Sequence, residues 1–249
     1  NITYGENATV NVNVTGINNE GLNGNVTISV NNQNYTVNLT NGVGSVNIPN
    51  LNAGNYTALI KYLGNDNYLE SNTTVNFTVR KHNSTTSASI ANITYGENAT
   101  VQVNVTGVNN EGLNGNVTIT VNNQNYTITL NNGVGSVNVP DLNAGNYTAL
   151  IKYLGNSNYL ESNTNVNFTV RKHNSTTGAT IANITYGENA TANIVINGLE
   201  GTDLSGNVTV TIDGNNWNGA VNSEGMGSII IPGLNIGNYT AIVKYLGNN

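Results

Sequence analysis

The sequence predicts an all-β chain built of small β-sandwiches in tandem, and three observations predict it. The phrase Asn-Ile-Thr-Tyr-Gly-Glu-Asn-Ala-Thr opens at Asn1, Asn92 and Asn183, a period of about 91 residues. A unit that long is a whole small domain rather than one turn of a solenoid. Within each unit apolar and polar residues alternate with a period of two, which turns one face of a strand inward and leaves the other in water. No stretch keeps a 3.6-residue apolar stripe over three turns, so almost no helix is expected.

The elements follow in order. Ala8, Val10, Val12 and Val14 point one way and Thr9, Asn11 and Asn13 the other; Val26, Ile28 and Val30, then Tyr35, Val37 and Leu39, repeat the pattern. Turn-forming clusters at 21–24, 31–34, 41–42, 50–54 and 64–67 separate the strands. In the middle unit, strands are expected near 87–94, 98–106, 115–122, 125–131, 134–139, 146–153 and 164–171. About seven short alternating strands in under ~100 residues is the pattern of an immunoglobulin-like sandwich. The fold class is therefore all-β: tandem immunoglobulin-like β-sandwiches, about seven strands each, in an elongated array. Pro140 closes the fifth strand, where its missing N–H does least harm. Tyr147, just past the following loop, suits a tyrosine corner, and Tyr56 and Tyr239 hold its place in the other units.

Differences between the first two units test the two-face reading. Ile17 becomes Val108, Val37 becomes Ile128 and Ile48 becomes Val139, all apolar exchanges expected of a core. Asn11 becomes Gln102, Ser29 becomes Thr120 and Asn38 becomes Thr129, as expected of an outward face. Unit three varies more, carrying Trp217, Met226 and one extra residue in the turn after its fourth strand. The expected domains are 1–80, without a first strand, 87–171, complete, and 178–249, without a last strand. Polar linkers at 81–86 and 172–177 join them, too short for free tumbling but long enough to bend. The unequal ends suggest a piece of a longer array, or strands supplied by neighbouring chains.

Composition narrows the partners. Charged residues are only 8 %, and neutral amides replace them, with asparagine at about a fifth of all positions. A net charge of -6 argues against nucleic acid, whose phosphates call for clustered Lys and Arg. The absence of cysteine removes disulfides, thiolate metal sites and cysteine nucleophiles together. No apolar run approaches the roughly 18 residues of a membrane span.

One further feature concerns the last three strands. Leu51-Asn-Ala-Gly-Asn-Tyr56, then Tyr62-Leu-Gly-Asn-Asp-Asn-Tyr68-Leu-Glu-Ser71, then Val75-Asn-Phe-Thr-Val79 resembles the repeats of bacterial Ig-like domains of group 3. The resemblance covers essentially the whole chain, three times over. The family's Gly-Asp is Gly64-Asn65 here, with Asp66 one residue later. The near-identical, Asn-rich units also look like the adhesin-like surface proteins of methanogenic archaea. The resemblance implies an extracellular location at a cell surface or cell wall, with neighbouring Ig-like domains, and host or partner-cell glycans or proteins, as partners.

Candidate sites are few. About 22 Asn-x-Ser/Thr sequons occur, and the reverse order Ser/Thr-x-Asn, which simple alternation would make equally common, occurs less than half as often. N-linked glycans are accordingly expected, first on Asn83 and Asn174 in the linkers, then on Asn25, Asn55 and Asn146, with Asn116 and Asn238 also candidates. Asp66 and Glu70 faintly suggest an oxygen-rich calcium loop, but the middle unit has Ser157 in place of the Asp, which argues against a metal. Glu6, Glu97 and Glu188 are expected to cap their turns. Lys61, Lys152 and Lys244 alternate with apolar neighbours and should face solvent rather than form a core cross-link. His82 and His173 lie about one unit apart, and no nucleophile–base–acid set recurs, so neither catalysis nor a cofactor is expected. The leading function is a spacer in a surface adhesin. The alternatives are a filament subunit and a glycan- or cell-binding module, the latter using Tyr4, Tyr62, Tyr68 and the unit-three loops 198–204 and 213–225.

Overall fold

The computed structural model describes residues 1–248; Asn249, the last residue of the third expected domain, lies outside them. By density of contact the chain forms two bodies, one of Asn1–Ile90, Thr100–Asn138 and Thr148–Asn167, the other of Ala91–Ala99, Val139–Tyr147 and the residues from Phe168 on. Both consist of strands, with one short 3-10 turn at Val108–Asn110 as the only helical element among the described residues.

In the first repeat the larger sheet runs in the order Ile2–Thr3, Ser71–Arg80, Gly54–Tyr62, Gly24–Val30, Gln33–Leu39. The register puts Val26 opposite Val37 and Tyr62, and Ile28 opposite Tyr35 and Ile60, so their side chains share the inward face. A second sheet pairs Ala8–Asn13 with Val43–Ile48. Between the sheets lie Ala8, Val12, Val26, Ile28, Val30, Leu39, Ile48, Ile60, Tyr62 and Val79, all buried. The hairpin into Val43–Ile48 turns on Asn41 (φ 51°) and Gly42 (φ 82°), a left-handed pair whose twist matches that of the flanking strands.

The middle repeat has the same strand order, Gln124–Leu130, Gly115–Val121, Gly145–Tyr153, Ser162–Arg171, Ile93–Thr94. Its second sheet gains a strand, Thr85–Ile90, antiparallel to Ala99–Thr106. The single first strand expected near 87–94 is therefore two strands. Thr85–Ile90 belongs to one sheet, and Ile93–Thr94 pairs in parallel with Val170 and Arg171 in the other. Strand Thr85–Ile90 also takes the last two residues of the expected linker 81–86, because Thr86 is buried opposite Val105. Thr176–Ile181 does the same at the expected linker 172–177, with Thr176 opposite Asn197.

In the third repeat Ala190–Asn197 pairs with Thr176–Ile181 and Met226–Ile231, and Gly206–Ile212 pairs with Asn215–Val221 and Ile242–Tyr245. The added turn residue makes Asn222–Gly225 a wider loop, closed from Asn222 N to Met226 O at 2.9 Å. Ile194, Ile196, Val208, Val210 and Ile231 form its core.

Candidate functional site

Two surfaces carry recurring chemistry: the outward face of the sheets and the ends where one repeat meets the next. On the outward face, threonine and asparagine pair across strands. Thr57 Oγ1 donates to Asn76 Oδ1 at 2.7 Å and Thr78 Oγ1 to Asn55 Oδ1 at 2.8 Å on neighbouring rungs of one strand pair. The pattern recurs as Thr148 to Asn167, Thr169 to Asn146, Thr129 to Asn116, Thr100 to Asn138 and Thr209 to Asn218. These side-chain pairs brace the sheet without charge, which gives the amide-rich, charge-poor composition a physical use. They also place Asn55, Asn116 and Asn146 with the carbonyl oxygen occupied and the amide nitrogen, the atom an N-linked glycan would need, not used by the ladder. Those three residues and Asn25, Asn83, Asn174 and Asn238 are all exposed.

The corner tyrosines each donate to the carbonyl four residues upstream: Tyr56 to Asn52, Tyr147 to Asn143 and Tyr239 to Asn235. Tyr56 and Tyr147 stack on Phe77 and Phe168. Glu6, Glu97 and Glu188 accept from the N–H groups of Thr3, Thr94 and Thr185, each closing its own turn. Glu70 pairs with Lys61 at 2.7 Å and Glu161 with Lys152 at 2.8 Å. The Glu70 carboxylate is thus engaged by an ammonium, and the lysines point into solvent. Among the described residues no three His, Asp or Glu side chains converge as a metal cluster would.

Two expectations are corrected. Ile17 is not a core residue: it is 90 % exposed in the loop after Ala8–Asn13, because that position faces out of the end of the sandwich. Tyr62 cannot stack on a sugar: it is buried, and its hydroxyl donates to Asn23 O.

The ends of the repeats hold contacts that sequence reasoning missed. In the first body, His82 N donates to Asn158 O and Leu160 N donates back to His82 O, both at 2.9 Å. Lys81 Nζ donates to Asn156 O at 2.6 Å, Ser84 Oγ to Leu160 O at 2.8 Å, and Ala53 N to Asn158 Oδ1 at 3.0 Å. Tyr159 is the centre of this junction. Its ring meets Tyr4 edge-on at 5.4 Å and His82 at 6.1 Å, and its hydroxyl donates to Glu111 and accepts from Val108 N. Burial, and then the Glu111 carboxylate, push the Tyr159 phenol up to about 12. In the second body, Lys172 Nζ donates to Asn248 O, the counterpart of the Lys81 bond. The only signal in the sequence was the recurrence of Lys-His in both linkers.

A recess of about 710 Å³ in the second body is lined by Tyr95, Asn143, Lys172, His173, Leu204 and Asn248, among others.

The sequence profile of a family described as bacterial Ig-like domain (group 3) matches residues 1–80 and 85–171. No curated protein matches in sequence. Among solved structures, invasin, a bacterial integrin-binding protein, aligns over 97 % of this chain and 55 % of its own, at 18 % identity and a TM-score of 0.49. A 1.5-MDa bacterial ice-binding adhesin aligns over 96 % of this chain and 89 % of its own, at 17 % identity and a TM-score of 0.36. Domains A168–A170 of titin align over 100 % and 89 %, at 14 % identity and a TM-score of 0.41.

Proposed function

Since the chain belongs to the bacterial Ig-like domain family of group 3, we propose that it is a structural spacer of an extracellular, adhesin-like surface protein, holding a binding region away from the cell. In this reading the domains are 1–80, 87–171 and 178–249, and none is catalytic. The observation that carries it is the junction. The linker at 81–84 is bonded along its length, with His82 held by Asn158 and Leu160, Lys81 by Asn156 and Ser84 by Leu160. A segment fixed at each of those positions transmits direction from one repeat to the next, as a spacer must. The exposed sequon asparagines fit the same reading, since N-linked glycans on the outward face would shield a charge-poor surface. No helix among the described residues is long and apolar enough to cross a membrane.

The test is a binding assay of the purified chain, bare and glycosylated, against partner cells and a glycan panel. A spacer gives no saturable binding in either form. Saturable binding lost on altering loops 198–204 and 213–225 overturns the reading in favour of an adhesive module. The glycan expectation has its own test, a glycosidase digest of material from the native source, which should lower the mass; an unchanged mass refutes it.

A further inference from the structure

One sheet face of the third repeat differs in kind from its counterparts. On the outward face of the three-stranded sheet, Val195 lies opposite Met226 and Ile230 opposite Thr191. The matching register in the first repeat sets Asn13 opposite Val43 and Asn47 opposite Thr9, and the middle repeat has Asn104 and Asn138 at the same two asparagine positions. In the third repeat those two asparagines are replaced by Val195 and Ile230, and the valine by Met226. Thr9 and Thr100 donate to Asn47 and Asn138, whereas Thr191 faces a side chain that cannot accept. The opposite outward face keeps its ladder, with Thr209 donating to Asn218 and Thr211 to Asn216. Val195, Met226 and Ile230 are 45 %, 49 % and 62 % exposed. That exposure belongs to the positions: Asn104, Val134 and Asn138 are exposed too in the middle repeat, which has the same three strands and a repeat on either side. Three apolar side chains in water and a lost side-chain bond are unfavourable unless the face is covered.

We propose that this face packs against the same face of a second copy of the chain. None of the strands Thr176–Ile181, Ala190–Asn197 and Met226–Ile231 carries a charge. Copies with a net charge of -6 repel one another, and here they can close without burying a carboxylate. The residues also match themselves under a twofold axis laid across the strands at the Asn193–Ser228 rung. Met226 of each copy then covers Ile230 of the other, and Val195 covers the methyl group of Thr191. Asn193 and Ser228 meet their own counterparts, and each can both donate and accept. Such a contact is isologous and closes at two copies. A face three strands wide and six residues long spans about 15 by 20 Å and buries on the order of 600 Å² over both copies, the size of a weak, reversible encounter. The inference concerns side-by-side assembly and stands apart from the spacer role.

Sedimentation velocity of the chain from about 10 μM to about 1 mM, the range in which so small an interface associates, provides the test. The sedimentation coefficient of the unaltered chain should rise with concentration towards that of a dimer. Val195→Asn combined with Ile230→Asn restores the residue type that the middle repeat carries in the same strands, so the fold is kept, and it should abolish the rise. The reverse graft, Asn104→Val with Asn138→Ile, gives the chain a second such face and should produce species larger than dimers. The register has its own readout, because the chain has no cysteine. On oxidation, an equal mixture of Met226→Cys and Ile230→Cys chains should cross-link more than either alone, since like positions lie about 13 Å apart along the strands in this pairing. A chain that stays monomeric to the highest concentration overturns the proposal and leaves the face to a partner of other chemistry. A doubly Asn-substituted chain that associates normally, or single-cysteine chains that cross-link alone as readily as the mixture, overturns it equally.

Discussion

Tyr68 and Tyr159 stand at the same place in two nearly identical repeats, each bonded to a glutamate, yet they live in different surroundings. Tyr159 is 2 % exposed between Tyr4 and His82, whereas Tyr68 is only half-buried. The same contrast separates Val10 and Val14 from Val101 and Val105. The first pair is half-buried at a two-stranded sheet, and the second is fully buried because strand Thr85–Ile90 lies alongside. Equal sequence thus gives equal strands and unequal burial. The energy of a side chain at the end or edge of a sandwich is set by what packs on it.

The largest expected effect breaks that comparison directly. Tyr159→Ala should lower stability by about 3–5 kcal/mol, the range for a buried aromatic, and Tyr68→Ala by about 1–2 kcal/mol. Urea unfolding of both variants checks this; equal losses would mean that the junction contributes nothing. Alkali sharpens the same point. The folded-state pKa of Tyr159 is raised above the unfolded value of about 10, so the neutral phenol's contribution is complete below pH ~10 and is lost as the pH climbs through about 12. In Tyr159→Phe the alkaline fall in stability should shrink. For Tyr68 the hydrogen bond to Glu20 is the main cause of a raised pKa, so Glu20→Gln should lower that phenol's pKa in a spectrophotometric titration.

Next in size, Val101→Ala should cost about 2 kcal/mol and Val10→Ala about half as much, by loss of buried methyl groups, read from denaturation midpoints. A smaller loss, about 1 kcal/mol, is expected of Thr57→Val, which keeps shape and removes the bond to Asn76. The matching change Thr148→Val should cost the same, because the outward ladder is alike in both repeats. Smallest of all, Glu70→Gln should change stability by less than about 0.5 kcal/mol, since its ion pair with Lys61 is exposed. A larger loss would give the pair a structural role that its exposure does not explain.

By itself the sequence determined the all-β class, the inward set from Val26 to Leu39, the Asn41-Gly42 hairpin, the corner tyrosines and the turn-closing glutamates. These are encoded within a strand, a turn or the few residues around them, where a period of two or a left-handed pair leaves little choice. Only the tertiary structure decided that the first strand of the middle repeat divides between two sheets, that Ile17 stands in solvent, and that Tyr159 is the centre of a junction. Those outcomes depend on groups far apart in the chain, such as Ala53 and Asn158, 105 positions from one another. Alternation along a strand says which face turns inward, but it carries no information about what will be laid against the end of the sandwich.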